Sequence, residues 1–214
     1  MKLYNYFRSS SSYRVRIACN LKGLQYEYLP IHLNRNGGEQ FSEEFLSLNP
    51  QALVPVLDDG ESRVSQSLAI LEYLEETHPQ TPLLPYASKD RAAVRELSQY
   101  IACEMHPLNN LRVLKFLTGT LGLDETQKQT WITHWLRTGL TALERQLSTS
   151  PTRGAFCFSD RPTIADCCFV PQAFNARRFG VDIAEYPTLA TIERNCEALD
   201  AFRDAHPSRQ PDTE

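Results

Sequence analysis

No stretch of this 214-residue chain holds the roughly 20 consecutive apolar residues that a bilayer-spanning helix needs, so no membrane partner is expected. The opening "MKLYNYFR" has no apolar core of a secretory signal, and a cytoplasmic location is the expectation. Cysteines occur at 19, 103, 157, 167, 168 and 196, without a C-x-x-C pair and without His/Cys spacing suited to zinc. A chain with 42% hydrophobic residues has material for a core and needs no disulfide framework, so reduced, buried thiols are expected. Charge of neither sign dominates. Residues 1–79 carry 7 basic and 10 acidic side chains and the remainder 15 and 16, giving −3 and −1 within a net −4. With no basic pole, nucleic acid is not expected as a partner. Internal repeats are lacking too.

What is present reads as two differently built halves. "KLYNYF" (2–7) alternates and is aromatic-rich, as a strand is. Val15, Ile17, Ala18 and Leu21 then recur at helical spacing, from a start near Ser12 or Tyr13 to a stop at Gly23. "QYEYLPIHL" (25–33) is a second strand whose Pro30 suits an edge. "EQFSEEFLSL" (39–48) predicts a short amphipathic helix on Phe41, Phe45 and Leu48. "LVPVL" and "SRVS" predict strands joined at Asp59-Gly60, and "LAILEYLEETHP" (68–79) a helix lined by Leu68, Leu71 and Leu74. The order βαβ, helix, ββ, helix implies a small mixed sheet with helices, over residues 1–82.

The proline-rich stretch "HPQTPLLPYASKD" (78–90) marks a linker. Beyond it, residues 88–214 read as all helix. One helix is expected over 89–118 with a kink at Pro107, and another over 125–147. A third begins at "PTIAD", where Thr163 and Asp166 have capping-box spacing. Shorter helices follow Pro187, and "HPSRQPDTE" is expected to fray.

Three places carry candidate chemistry. In "YFRSSSSYRVRIA" (6–18) a strand gives way to a helix through Ser9, Ser10 and Ser11. A thiolate held there would meet hydroxyl donors and the positive end of a helix dipole, and both lower a thiol pKa. "SQS" (65–67) precedes the third helix, with Ser67 expected as its N-cap and the helix start as a carboxylate site. Val54-Pro55 opens a strand. The element order is similar to that of thioredoxin-like domains, where this spot holds a cis-proline and the preceding backbone pairs with an extended peptide. Arg14 and Arg16 are expected to be solvated or structural helix residues, since charges on a helix usually face water. Tyr4 and Tyr6 are expected to pack.

Together "YFRSSSSYRVRIACNLKG", "NPQALVPVL", "SQSLAILEYLEETHP", "HPLNNLRVL", "TIADCCFVPQ" and "SRQPDTE" resemble the zeta-class glutathione transferases, in that family's order and over nearly the whole chain. The match departs at Ser11, where many members carry cysteine, which leaves the chemistry to glutathione's own sulfur. The resemblance implies an α/β plus all-α fold: a thioredoxin-like βαβ-α-ββα domain, then an α-helical substrate-binding domain, as a homodimer. It implies glutathione as cofactor, with Ser9, Ser10 and Ser11 near the sulfur, Gln40 and Val54 on the peptide backbone, and Gln66 and Ser67 at the γ-glutamyl end. His106, Asn110 and Arg112 would approach from the helical domain.

The activity it implies is cis–trans isomerisation of a maleyl keto-acid, maleylacetoacetate to fumarylacetoacetate. Arginine forks suit a dianionic substrate, and Arg8 and Arg178 are the first candidates, Arg112 the next. The alternatives are a maleylpyruvate isomerase, a general glutathione transferase or dehalogenase, and a noncatalytic binding module on the same fold.

Overall fold

The computed structural model describes residues Met1–Glu214. The chain forms two compact units, Met1–Leu84 with Glu197–Glu214, and Pro85–Cys196. The first runs β1 (Lys2–Asn5), α1 (Ser10–Leu21), β2 (Glu27–Pro30), α2 (Glu43–Leu48), β3 (Val56–Asp58), β4 (Arg63–Ser65) and α3 (Ser67–Thr77). Its four strands lie in the order β2-β1-β3-β4. β1 pairs with β2 in parallel, Leu3 opposite Tyr28, and with β3 antiparallel, Leu3 opposite Leu57. A parallel pair needs a long crossover, and α1 supplies it. Leu3, Val15, Ile17, Leu57, Ile70, Leu71 and Leu74 are buried around the central strands. Tyr6, Phe7, Phe45, Val54 and Val56 form a cluster of their own. The mixed-sheet reading of the sequence therefore holds.

Its elements differ in extent: β1 ends at Asn5, short of Phe7, and β3 begins at Val56, after Leu53 and the Val54-Pro55 pair. The helix expected over 39–48 is split into a 3-10 turn (Glu39–Phe41) and α2. Ser42 leaves the helical backbone (φ −65°, ψ 148°) and its hydroxyl accepts the Phe45 N–H at 3.2 Å. A capping serine starts a helix better than it continues one. Phe41 is left exposed while Phe45 is buried. The second strand keeps only Glu27–Pro30 of the expected 25–33.

The proline-rich stretch is tied down by charge. Lys22 Nζ donates to Glu75 Oε2 at 2.8 Å and to the carbonyls of His78 and Thr81, while Glu75 accepts from the N–H groups of Leu83 and Leu84. The C-terminal segment is not frayed. Helix α9 (Asp200–Ala205) and the turn Pro207–Arg209 pack with the first unit, Asn20 Nδ2 donating to Ala201 O at 3.0 Å. Residues 197–214, read from sequence as part of the helical domain, thus belong to the compact unit that holds the sheet.

The second unit contains α4 (Ser88–Gln99), α5 (Leu111–Gly119), α6 (Glu125–Thr149) and α7 (Ile164–Arg178), and α8 (Pro187–Glu197) runs to its end. The helix expected over 89–118 is broken into α4, a π-helical segment (Tyr100–Met105), a 3-10 turn (His106–Asn109) and α5. Pro107 has no N–H to continue the ladder. Asn110 then turns extended (φ −67°, ψ 146°) and its side chain caps Arg112 N at 3.1 Å. All six cysteines are free; five are buried as expected, while Cys103 on the π-helical segment is exposed. No helix is long and apolar enough to cross a membrane.

Helix α7 is buried from Ile164 to Ala173 without a break and forms the middle of its unit. Its capping box is present: Thr163 Oγ1 accepts from Ala165 N, and Asp166 Oδ2 accepts from Thr163 N at 2.7 Å. Asp166 Oδ1 also accepts from Cys157 N at 2.8 Å, so one fully buried carboxylate joins the 150s loop to the helix start. Burial pushes its pKa up, and these N–H donors oppose the shift. Asp166→Ala strands several buried donors and should cost about 3 kcal/mol or more. Urea unfolding measures this; a loss under about 1 kcal/mol would contradict the assignment.

Candidate functional site

The β1–α1 junction is built on helix capping. Ser9 is the N-cap (φ −69°, ψ 119°), and its Oγ accepts Ser12 N at 3.2 Å. The helix therefore starts at Ser10, earlier than the Ser12 or Tyr13 expected, and Ser10 and Ser11 occupy its first turn. First-turn N–H groups have no intrahelical acceptor, and no acidic side chain lies in this turn to offset the positive dipole end. Ser9 spends an acceptor site on the cap, and its O–H proton stays available to donate. Ser10 is buried; Ser9 and Ser11 are half-buried. Arg8, also half-buried, lays its guanidinium over the Phe7 ring at 5.6 Å and the Tyr6 ring at 6.0 Å.

Behind this junction lie Arg14 and Arg16, expected as solvated or structural helix residues; they are structural. Both are buried: Arg14 is 2% exposed and Arg16 0%. Arg16 Nη1 donates to Asn5 Oδ1 at 3.0 Å and Tyr6 O at 3.3 Å, Nη2 to Phe7 O at 2.8 Å, and Nε to Ala205 O at 3.1 Å. Burial lowers its pKa from the ordinary arginine value, while Tyr28, Tyr26, Tyr13 and Asp212 pull the other way. Arg14 Nη1 donates to Ser67 Oγ at 3.1 Å and so connects α1 to the start of α3. α1 is buried on nearly every side, which leaves its charges no route to solvent.

The second helix start is differently made. The N-cap of α3 is Gln66, not Ser67, which is the first helical residue. Gln66 has left-handed backbone (φ 70°), a conformation that non-glycine residues adopt mainly at turns and binding sites. No side chain caps α3; the exposed Gln66 amide instead donates to Gln51 Oε1 at 2.6 Å. The first turn of α3 thus presents N–H groups with no intrahelical acceptor, above a buried Ser67.

Between the two starts the Val54-Pro55 bond is cis, as expected, and Val54 N–H and C=O make no backbone hydrogen bond. Gln40 is buried, its Nε2 at 3.5 Å from Leu33 O and its Oε1 without a partner. Gly38 (φ 115°) lies against that amide: a Cβ on it would stand 2.6 Å from Gln40 Nε2.

The remaining candidates belong to the helical unit. His106 is half-buried, with Nε2 at 3.5 Å from Asn110 Nδ2. Asn110 spends its carbonyl oxygen on the α5 cap, and Arg112 is exposed. Arg178 is exposed at the end of α7, Nη1 at 3.3 Å from Asn175 Oδ1 and its guanidinium over the Phe179 ring at 5.0 Å. Arg14, Arg16 and the tail residue Asp212 were not expected at the site. The first two had a signal in the lack of a polar stripe on α1; Asp212 lies in "SRQPDTE", which carries part of the resemblance but no local sign of a contact with Phe7.

Residues 1–76 match the family model described as glutathione S-transferase, N-terminal domain, and residues 131–207 that described as glutathione S-transferase, C-terminal domain. The chain is 48% identical to the maleylacetoacetate isomerase of Rattus norvegicus, over 99% of this chain and 94% of that one. Among solved structures it is similar, at TM-score 0.96 and 47% identity over 100% of both chains, to a holo maleyl pyruvate isomerase described as a bacterial glutathione-S-transferase in the zeta class. A maleylacetoacetate isomerase from Methylobacterium extorquens AM1, with bound malonate and GSH, gives TM-score 0.96 at 42% identity, again over 100% of both chains.

The buried fork of Arg16 has a direct test. Arg16→Lys keeps the charge but places one ammonium where four acceptors are spread around a planar group. It should cost about 2–4 kcal/mol, read from the denaturation midpoint. Full stability in the lysine variant would show that the fork is not what holds the junction.

Proposed function

We propose that this chain, a member of the zeta class of the glutathione S-transferase family, is a glutathione-dependent cis–trans isomerase that converts maleylacetoacetate to fumarylacetoacetate. One observation carries most of this reading. A single compact unit holds a serine-capped helix start and an uncapped one, coupled through Arg14 and Ser67. The donor set fits a γ-glutamyl tripeptide. The unpartnered Gln40 Oε1 and the open Val54 N–H and C=O suit a peptide backbone, and the first turn of α3 suits a carboxylate.

In this reading Ser9, Ser10 and Ser11 place hydroxyl and N–H donors around a sulfur, and the dipole of α1 favours its ionised form. When bound, glutathione supplies the thiolate that adds reversibly to the substrate's double bond and so permits rotation. Gln66 and Ser67 orient the γ-glutamyl carboxylate, and Gln40 and Val54 the backbone. Arg8 holds a substrate carboxylate and stabilises charge gathering on the conjugated oxygens. We assign Arg178, Arg112, His106 and Asn110, in the helical unit, to substrate and cofactor contacts as well. The working protein is read as a homodimer in the cytoplasm, a location that suits its free thiols.

Maleylpyruvate is the second reading, supported by the relative of that name at 47% identity. Assaying both acids with and without glutathione tests the proposal. Glutathione-dependent turnover of maleylacetoacetate, with no net consumption of glutathione, is expected. Turnover of neither acid refutes the isomerase, and a consumed thiol points to a conjugating transferase or dehalogenase.

Arg8→Ala should lower turnover about 10–100-fold, the value of one charge-assisted carboxylate contact, while glutathione affinity stays within about threefold. Unchanged turnover removes Arg8 from the substrate site. Gly38→Ala puts a methyl into the Gln40 amide on a backbone that disfavours it. Calorimetry should show glutathione affinity weakened about tenfold, the loss of roughly one hydrogen bond. Wild-type affinity would mean that Gln40 does not touch the tripeptide.

A further inference from the structure

Phe7 is the last residue before Arg8 and the Ser9 cap, and both of its backbone groups are held by charged side chains. Its C=O accepts from Arg16 Nη2 at 2.8 Å. Its N–H donates to Asp212 Oδ2 at 3.0 Å, across 205 positions of sequence. The other oxygen of Asp212 accepts from the Tyr28 hydroxyl at 2.5 Å, so β2 orients the carboxylate. The tail that carries it is fastened on either side. Gln210 Nε2 donates to Asp204 O at 2.8 Å and His206 O at 2.9 Å, Thr213 Oγ1 to Pro207 O at 2.5 Å, and Glu214 pairs with Arg35 at 2.6 Å.

The sheet closes its ladder without the tail, and Asp212 meets the loop that carries Arg8 and Ser9 while Glu214 meets His32 and Arg35 after β2. Movement at Phe7 would reach further than that loop. Its ring packs in the cluster that contains Val54, and the Arg8 guanidinium rests on it.

We infer that Asp212 is a positioning residue: the C-terminal tail is a clasp over Phe7 that fixes Arg8 and the serine cap in working geometry. The inference rests on the isomerase reading for its catalytic half, while the clasp itself is a property of the ligand-free chain. Loops of this length are mobile unless their backbone groups are held. A carboxylate acceptor on a buried N–H is a strong way to hold one.

The test compares Asp212→Ala, Asp212→Asn and, as control, Glu125→Gln at the exposed start of α6 in the full-length chain. Two readouts are taken: amide exchange of residues 6–12 without glutathione, and isomerase kcat and KM. In the alanine variant, exchange over 6–12 should quicken about tenfold relative to β3. Its kcat should fall about tenfold or more, with KM within about threefold, because misplacement of reacting groups is felt in turnover. The asparagine variant keeps an oxygen for Phe7 N–H and should recover most of both, and Glu125→Gln should match wild type. If the alanine variant does not fold, Tyr28→Phe, which releases one carboxylate oxygen, should show the same changes in weaker form.

Wild-type exchange over 6–12 in Asp212→Ala overturns the clasp. Faster exchange with unchanged kcat overturns the positioning role. If the wild-type protein isomerises neither acid, the isomerase reading falls and the catalytic half with it, while exchange still decides whether the tail holds the loop.

Discussion

One buried guanidinium organises the site. Leaving β1, the chain presents the carbonyls of Tyr6 and Phe7 inward; the Tyr6 carbonyl accepts the Ser9 N–H at 3.1 Å, and no backbone donor reaches that of Phe7. Arg16 takes both, together with Asn5 Oδ1 and the Ala205 carbonyl. Buried acceptors without donors are costly, and so is a buried cation without acceptors; here each cost is removed by the other. Only a planar group with several fixed donors spans such a set. The turn that carries Arg8 and Ser9 is closed by the Ser9–Tyr6 backbone bond and held from behind by this contact. So does the docking of α9, whose last carbonyl is one of the four acceptors.

From that anchor the chemistry follows from how the two helices begin. Ser9 caps α1 with its own oxygen and leaves a donor-rich first turn. Gln66 turns α3 out of a left-handed residue and leaves its first turn uncapped. Arg14 ties the hydroxyl of Ser67 to α1, so the spacing between the two starts is part of the fold and not left to a ligand. A tripeptide with a thiol at one point and a carboxylate at another suits such a pair of starts. The cis Val54-Pro55 segment, with its open backbone groups, lies in the same unit.

Much of this was legible in the sequence, for physical reasons. Alternation in "KLYNYF", leucine spacing in "LAILEYLEETHP" and the Thr163/Asp166 pair are local signals, and the elements formed where those signals lay. The serine junction was legible because caps act over a few residues, and the cis Val54-Pro55 bond because the element order is similar to that of thioredoxin-like domains. The failures came from distance. Arg14 and Arg16 read as solvated or structural from sequence, because charges on a helix usually face water and burial depends on distant elements. α1, however, has no polar stripe, and a helix covered on all sides takes its charges inward. Ser42 and Pro107 ended helices that periodicity alone would have continued. Nothing near Asp212 announces a partner as far away as Phe7, and a polar tail is ordinarily free.

The central claim is that the start of α1 keeps a bound thiol ionised near neutral pH. An ultraviolet thiolate titration of glutathione on the wild-type protein tests it most directly. The account predicts a bound thiol titrating well below the free value of about 8.5, and moving back toward it when Ser9 or Ser10 is replaced by alanine. A thiol that titrates on the protein as it does in water, with either serine present or absent, would contradict the account.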